Sequence, residues 1–171
     1  GKMDENLGAA EYRLTTQVNE RGVYSFCMCP GGFVVPSSSS PDEIVVNGMS
    51  ASARNSKWSN AAIVVEIRPE DIPQEFVEQA KNLGSKDLAG LLFRNKIEKD
   101  AKLNGKGQAA PAQRVTDFIE NKKSQTLPVS SFTPGIVSSN LNEWLPSHIS
   151  ERLAKGFVQI NKNMKGFVCQ D

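Results

Sequence analysis

Residues 26–32 read Phe26-Cys27-Met28-Cys29-Pro30-Gly31-Gly32, and this run predicts how the first part of the chain folds. The apolar stretch 22–29 has side chains that alternate between two faces if it forms a β-strand, so both of its cysteines would share one face. The proline cannot donate a backbone hydrogen bond. The glycine pair after it permits positive φ and lets another chain segment or a ligand approach the backbone closely. The run therefore predicts a strand, a sharp turn and a second strand.

The two cysteines of this strand have an inert and a reactive interpretation. Free cysteines are usually small buried hydrophobic residues. Strand geometry holds the Cα atoms of Cys27 and Cys29 near or beyond the separation that a disulfide can bridge. The third cysteine, Cys169, and the one histidine, His148, are not spaced as ligands of the common zinc sites. We expect reduced thiols and no metal site, while a thiol redox unit using Cys27 and Cys29 stays open as an alternative.

Length, charge and composition limit the class of protein. The chain has 171 residues, enough to bury the core of one domain or of one domain with two subdomains, and its formal net charge is +1. This charge gives no general attraction to nucleic acid or to a membrane surface. No stretch approaches the ~20 apolar residues of a membrane span. An odd number of cysteines and the lack of a secretory leader at the start predict a reducing, cytoplasmic setting.

Hydrophobic periodicity changes near Pro69 and divides the chain in two. We expect a β-rich subdomain over residues 1–68 and a mainly helical one over residues 69–171, with room for a strand near 164–169 that returns to the β part. Period-two patterns predict strands at Glu11–Val18, Gly22–Cys29, Phe33–Val35, Glu43–Met49 and Ala61–Arg68. Helical patterns predict helices at Pro73–Leu83, Lys86–Leu103, Ala110–Lys122 and Leu141–Lys162.

A second polar cluster follows the fourth predicted strand and the loop after it. Its members are Asn47, Gly48, Met49, Arg54 and Asn60. If this strand and the cysteine strand belong to one sheet, the loop would lie beside the glycine-pair turn. Arg54 would then offer a permanently charged fork for phosphate or carboxylate. A plain hairpin loop with Arg54 in a surface ion pair is the competing interpretation.

Residues typical of catalysis are few. His148 lies in the first turn of the last predicted helix, far in sequence from the cysteines, which favours a structural histidine over half of a catalytic pair. No G-x-G-x-x-G motif follows a strand, so the sequence has no dinucleotide-binding fingerprint of its own. The catalytic residues are therefore unknown at this point.

Three motifs stand in order along the chain, namely Ser25-Phe26-Cys27-Met28-Cys29-Pro30-Gly31-Gly32, then Val46-Asn47-Gly48-Met49-Ser50 with Ala53-Arg54 and Asn60, then Ala110-Pro111-Ala112-Gln113-Arg114-Val115-Thr116-Asp117-Phe118. They closely resemble the bacterial FAD-dependent, NAD-utilising dehydrogenase-like proteins. Shorter matches near residues 134–136, 145–146 and 165–167 extend this resemblance over nearly the whole chain. The glycine-rich flavin-binding segments of that family have no counterpart here. The resemblance therefore indicates the central domain alone. In the longer parent protein, this domain would be inserted into a Rossmann-type flavin domain.

The resemblance implies a fold and a role. In related flavoproteins the inserted domain is a small β-barrel-like unit with a helical subdomain, so the class expected is α+β, with a β-barrel-like or sandwich subdomain followed by helices. The parent is expected to be an FAD-dependent oxidoreductase that has NAD(P)H as a further candidate co-substrate. This domain would cover the flavin and shape the pocket for an unknown small-molecule substrate. Its partner would be the flavin-binding domain of the same chain, and alone it is expected to be inactive and free of FAD.

The matched motifs also supply candidates for the surface that faces the flavin or the substrate. They are Cys27, Cys29, Gly31, Gly32, Asn47, Gly48, Met49, Arg54 and Asn60. The motifs mark positions and assign no catalytic roles. A non-enzymatic module that binds RNA or a protein stays open as a further alternative, although the near-neutral charge weakens the RNA interpretation.

Overall fold

The computed structural model describes residues 14–169 and has the α+β class that the sequence predicts. Its strands are β1 (Thr15–Val18), β2 (Arg21–Pro30), β3 (Phe33–Pro36), β4 (Val46–Met49), β5 (Ser59–Val65), β6 (Ala110–Ala112) and β7 (Ile136–Ser138). Its helices are α1 (Gln74–Asn82), α2 (Ala89–Asn104), α3 (Val115–Ile119) and α4 (Ser147–Asn163). Single 3-10 turns occur at Pro69–Asp71, Lys86–Leu88 and Leu141–Glu143.

The strands of the described part of the chain form three small sheets and no closed barrel, so the barrel expectation is wrong. Strands β1, β2 and β5 form an antiparallel sheet in the order β1-β2-β5, β3 and β4 form an antiparallel ribbon, and β6 and β7 pair in parallel. Two strands that could extend a ladder, β2 and β3, end at Pro30 and Pro36. Because proline has no N–H to donate, the ladders stop there.

A β-bulge at Phe26 interrupts the pairing of β2 with β5. Ser25 lies opposite Ile63 and Cys27 lies opposite Ala62, so Phe26 has no partner across the ladder. Its side chain is 74% exposed. An extra residue of this kind bends a strand and increases its twist. The simple alternation predicted for residues 22–29 is therefore broken at Phe26.

Helix α4 packs across the first sheet and closes the core. Gly156 of α4 lies directly against Val23 of β2, where a Cβ atom would come within 2.6 Å of the Val23 Cγ1 atom. Val23 is fully buried, and Ile160, one turn further along α4, is nearly so. The absent side chain at Gly156 therefore lets the helix approach the sheet closely.

Aromatic side chains join the helices to one another. The rings of Phe76 in α1 and Phe93 in α2 lie 5.5 Å apart, and Phe118 of α3 meets Phe157 of α4 edge to face at 6.0 Å. Phe76, Phe93 and Phe118 are buried. The aromatic rings therefore join α1 to α2 and α3 to α4.

Three predicted helices begin later than their periodicity indicates, and in the segment predicted as Lys86–Leu103 a 3-10 turn at Lys86–Leu88 comes before α2. The segment Ala110–Lys122 opens as β6, because the Ala110 N–H donates to the Gly135 carbonyl and residues 110–112 pair with β7, a strand that the sequence did not predict. Helix α3 begins only at Val115. In the segment Leu141–Lys162 a 3-10 turn comes first, and α4 begins after Pro146.

The predicted strand ends also move. The strand Glu43–Met49 begins only at Val46, since the Ile44 N–H donates to the Glu98 carbonyl of α2 at 3.2 Å and not to a neighbouring strand. The return strand expected near 164–169 is not formed, because Gly166 has a φ of +90° and the chain turns there. Residues 11–13 of the first predicted strand lie outside the described residues. No helix within residues 14–169 has the length and apolar character needed to cross a membrane.

A buried cluster of charges joins β2, the first 3-10 turn and α4. The Asp71 carboxylate, in a side chain that is 8% exposed, accepts hydrogen bonds from Arg21 Nε at 2.7 Å and from Arg152 Nη2 at 2.9 Å. It also accepts one from the Arg68 backbone N–H at 2.9 Å. Burial alone would raise the pKa of the Asp71 carboxyl, but these hydrogen bonds outweigh it and hold that pKa well below its ordinary value.

The first prediction concerns this carboxylate. Asp71→Asn leaves two largely buried guanidinium groups without their shared counter-charge, so we expect the free energy of unfolding in urea at pH 7 to fall by about 3 kcal/mol. Glu70→Gln is the matched control, because Glu70 also bonds Arg21, at 2.9 Å, but has a side chain that is 62% exposed. We expect it to cost less than about 1 kcal/mol. Equal losses in the two variants would contradict the central role of Asp71.

The same contact predicts a pH dependence. Because the pKa of Asp71 is lower in the folded than in the unfolded chain, its stabilisation is complete above the ordinary carboxyl pKa of about 4 and is lost as the pH falls below that value. The difference in unfolding free energy between the wild type and Asp71→Asn should therefore shrink below about pH 4. A difference that stays constant under acid conditions would argue against this assignment.

The close approach of α4 to the sheet gives the second prediction. Replacing glycine by alanine inside a helix normally stabilises it by up to about 1 kcal/mol. Gly156→Ala should instead destabilise the chain by about 1–2 kcal/mol, because the new methyl group overlaps Val23. Gly90→Ala in α2 is the control, since a Cβ atom there meets Ile72 Cδ1 at an ordinary 3.7 Å. Thermal unfolding that shows Gly156→Ala to be as stable as Gly90→Ala would refute the overlap.

Candidate functional site

The glycine-pair turn is closed against another segment of the same chain. Gly31 has a φ of +60°, and a Cβ atom on it would overlap the Arg54 carbonyl. A Cβ atom on Gly32 would overlap the Met49 carbonyl. Both glycines are thus required by contacts inside the chain. The close approach that the sequence predicts at this turn is made by the 49–54 loop.

Two serines fix the backbone of this turn. Ser56 Oγ donates to the Gly32 carbonyl at 2.6 Å, and the Ser56 N–H donates to the Gly31 carbonyl at 3.3 Å. Ser50 Oγ donates to the Pro30 carbonyl at 3.1 Å. Ser50 belongs to the second motif but was not among the candidate site residues. For Ser56 the only signal was the general tendency of hydroxyl side chains to bond nearby backbone in turns.

The β3–β4 ribbon packs against the end of the first sheet through Gly48. A Cβ atom on Gly48 would overlap Asn60 Oδ1 and would lie 3.6 Å from Cys29 Sγ. Asn60 Nδ2 donates to the Phe33 carbonyl at 3.3 Å. The condition that the cysteine strand and the Asn47-Gly48 strand belong to one sheet is not met, because β2 and β4 lie in different sheets. The two motifs meet through this packing contact.

The opposite face of the ribbon is open. Phe33 lies across from Met49 in the β3–β4 register, so their side chains share a face, and alternation places Asn47 on that face as well. Phe33 is 37% exposed and Met49 is 47% exposed, and Asn47 is exposed. We call this outward surface, together with Arg54, the ribbon face.

The two thiols behind the ribbon are half-buried and free. Burial and the adjacent Cys27 thiol, to which Cys29 is hydrogen-bonded, raise the pKa of the Cys29 thiol, and the Arg54 charge lowers it only in part. Cys29 therefore stays protonated at neutral pH, and the thiolate is the reactive form of cysteine. Within residues 14–169 no group of three or more histidine, cysteine or acidic side chains is arranged to hold a metal ion.

Arg54 lies at the rim of the turn in a left-handed conformation, with a φ of +45°. Its N–H donates to the Ala51 carbonyl at 2.9 Å, and the residue is exposed. Across the described part of the chain its guanidinium forms no ion pair. Within these residues the competing interpretation of Arg54 as a surface ion pair therefore has no support. Its backbone closes the turn and its charged group is presented to solvent.

His148 belongs to a different part of the molecule. It lies in the first turn of α4, and its ring stacks on Phe93 at 6.1 Å. Burial, and then the charge of Arg152, lower the pKa of the His148 imidazole. Its Nε2 atom is buried and has no hydrogen-bond partner among residues 14–169. The structure thus places His148 beside the charge cluster of Asp71 and Arg152, apart from the ribbon face.

The long segment between α3 and β7, residues 120–135, is hydrogen-bonded to the ribbon and to the loop before β5. Ser131 Oγ accepts the Val34 N–H at 3.0 Å, and Trp58 Nε1 donates to the Val129 carbonyl at 3.3 Å. The ammonium group of Lys57 lies 4.6 Å from the centre of the Trp58 ring. These contacts tie the loop before β5 to the second half of the chain, and no periodic pattern in the sequence indicated them.

Comparison with known proteins matches the whole chain, residues 1–171, to the family described as FAD-dependent protein, C-terminal domain-like. A curated relative, an uncharacterized protein of Clostridium beijerinckii, is 41% identical over 170 residues. The match covers 96% of this chain and 30% of that protein, so the chain spans about 30% of the relative's length. The family description names a C-terminal domain, whereas the motifs suggested a central one. With the whole chain matched, the resemblance to FAD-dependent proteins is confirmed, and the chain belongs to the FAD-dependent protein, C-terminal domain-like family.

Proposed function

We propose that this chain is the flavin-adjacent domain of a longer FAD-dependent oxidoreductase, and that its ribbon face contacts the flavin or the substrate beside it. Family membership supports FAD in the parent, and a relative more than three times as long has room for a separate flavin-binding region. FAD, when bound to such a parent, supplies the electron transfer. The chain's own residues would cover the flavin and orient the substrate beside it.

The observation that carries this proposal is the ribbon face itself. Phe33 and Met49 form an adjacent, exposed apolar pair on a rigid ribbon, and Arg54 lies at the rim of the neighbouring turn. An aromatic ring and a polarizable thioether suit contact with a flat ring system, and a guanidinium suits phosphate or carboxylate. Adjacent exposed apolar side chains beside polar residues are a feature of surfaces that a partner covers.

The same residues do not fit the role of principal FAD holder. The glycines of the turn contact the Arg54 and Met49 carbonyls, so their backbone is occupied by the chain itself. The sequence has no strand-linked glycine-rich turn to hold a diphosphate at a helix N-terminus. The residues therefore fit a covering role, in which the flavin-binding domain of the parent holds FAD and this domain closes over it.

The firm backbone of the turn suits that role. Three hydrogen bonds from Ser50 and Ser56 and two glycine contacts hold residues 30–32 against the 49–56 loop. The backbone of such a scaffold has little conformational freedom left to lose when a ligand binds. The thiol redox alternative has less support, because burial keeps Cys29 protonated. The near-neutral charge gives the RNA-binding alternative no support.

The third prediction tests the ribbon face in the full-length parent. Arg54→Ala should weaken flavin binding or lower turnover by about tenfold, the effect of losing one charged hydrogen bond of about 1.5 kcal/mol. Arg94→Ala is the matched control, because Arg94 is an exposed arginine on α2 that pairs with Glu98 at 3.1 Å. It should leave both quantities unchanged. Equal flavin content and equal turnover in the two variants would remove Arg54 from the site.

The fourth prediction concerns the isolated chain of 171 residues. Titration with FAD, followed by flavin fluorescence and by the melting temperature of the protein, should show no saturable binding at micromolar concentration. The reason is the missing diphosphate cradle. Tight binding with a raised melting temperature would show that this chain holds the cofactor by itself, and would overturn the covering role.

A further inference from the structure

The ribbon face is built from segments that contain no acidic side chains. Residues 22–41 and 44–65 include the ribbon strands, the loop before β5 and β5 itself, and they have neither aspartate nor glutamate. The segment that bonds to the ribbon from the second half of the chain has none over residues 124–135. The strand segments do contain two cationic residues, Arg54 and Lys57. The chain is nearly neutral as a whole, but these segments have two positive charges and no negative one.

The acidic residues that flank these segments lie at their far ends and are engaged there. Asp42 and Glu43 belong to the hairpin loop, at the end of the ribbon away from the glycine-pair turn. Asp42 pairs with Lys99 of α2 at 3.3 Å, and Glu43 is buried. Glu66 follows the far end of β5 and pairs with Arg68 at 2.6 Å. Among residues 14–169 no carboxylate forms an ion pair with either cation of the loop before β5.

Backbone contacts place both cations beside the glycine-pair turn. The Arg54 carbonyl is the group that a Cβ atom on Gly31 would overlap. Burial raises the pKa of the Cys29 thiol and the Arg54 charge acts against that rise, so the guanidinium lies close to the end of β2. Lys57 follows the serine whose Oγ donates to the Gly32 carbonyl at 2.6 Å. Both cationic residues are exposed. Two charges without a carboxylate partner in the described part of the chain therefore lie beside the turn that leads into β3.

The covering role proposed above leaves these two charges available. In that role the flavin domain of the parent holds the FAD diphosphate, at a helix N-terminus whose N–H groups and dipole favour negative charge. The flat ring system of the flavin suits the apolar pair of the ribbon face and needs no cation. The charges of Arg54 and Lys57 therefore suit an anion other than FAD.

We propose that the ribbon face binds a small organic anion, with its apolar body on Phe33 and Met49 and its carboxylate or phosphate group on Arg54. This inference rests on the flavin-covering role and names the substrate class of that site. Arg54 offers the planar fork that pairs with two oxygens of such a group, and Lys57 adds a second positive charge in the same loop. Asn47, exposed on the face of Met49, adds an amide that can donate to a further oxygen. A neutral molecule of the same shape would keep only the apolar contact.

The fifth prediction tests this substrate class by NMR titration of the 171-residue chain with three probes. Phenylacetate has an aromatic body and a carboxylate, phenylethanol keeps the body without the charge, and acetate keeps the charge without the body. Phenylacetate should give saturable shifts confined to backbone amides of residues 31–33 and 47–58. Each of the other two probes should bind at least about tenfold more weakly, which corresponds to about 1.4 kcal/mol. No saturation with phenylacetate, or phenylethanol binding as tightly as phenylacetate, would overturn the proposal.

Matched variants separate a specific site from general electrostatics. Arg54→Gln should weaken phenylacetate binding at least about tenfold and leave phenylethanol binding unchanged, because only the charged group meets Arg54. Arg94→Gln removes the same charge from α2 and should bind phenylacetate as the wild type does. Met49→Gln should weaken phenylacetate binding and leave acetate binding unchanged, since Met49 contributes apolar contact. Equal weakening by Arg54→Gln and Arg94→Gln would count against the site.

Two further measurements identify the anionic group and keep this proposal separate from the flavin role. Phenyl phosphate binding more tightly than phenylacetate at the same amides supports a phosphate substrate, and the reverse order supports a carboxylate. FAD content is measured independently in the purified full-length parent. A parent that contains FAD, with a chain that binds none of the probes, would overturn the substrate class alone. A parent free of FAD, with a chain that binds the probes as expected, would keep the anion site and overturn the covering role.

Discussion

One carboxylate, that of Asp71, fixes how the two halves of this chain meet. It is shared by Arg21 at the start of β2 and Arg152 on α4, so the helix cannot slide over the sheet without leaving a charge buried and unpaired. Apolar packing alone does not choose one position along a sheet so strictly, because hydrophobic contact is non-directional. The charge cluster sets the position of α4 along the sheet, and the contact of Gly156 with Val23 sets the distance between the helix and the sheet.

The segment between α3 and β7 joins the second half of the chain to the ribbon. Near its start, Ser124 Oγ accepts the Arg114 N–H and donates to Asp117 of α3. Further along, Ser131 Oγ accepts a hydrogen bond from Val34 in β3 of the ribbon. A segment without a periodic pattern in the sequence thus holds α3 and the ribbon in a fixed relation through its hydrogen bonds.

The sequence was a good guide to element type and a poor guide to element partners. Period-two alternation found β1 to β5, and apolar stripes found the helices, since both signals are local. The parallel pair β6–β7 was missed because residues 110–112 and 136–138 are brought together by a crossover, and nothing local in Ala110–Ala112 distinguishes a short strand from a helix start. The bulge at Phe26 and the burial of Asp71 likewise depend on distant partners.

At the candidate site, too, the local sequence indicated the backbone features but not the contacts that they make with distant residues. The motifs around Gly31, Gly32 and Gly48 suggested a backbone open to a ligand, yet each glycine is closed by a carbonyl or amide of this chain. These glycines let the first motif and the second motif pack closely against each other. The side chains that remain exposed are Phe33, Asn47, Met49 and Arg54, and of these Phe33 lies outside the matched motifs. A motif can therefore mark the scaffold of a site, while the surface that contacts the ligand follows only from the register of the strands that the scaffold holds.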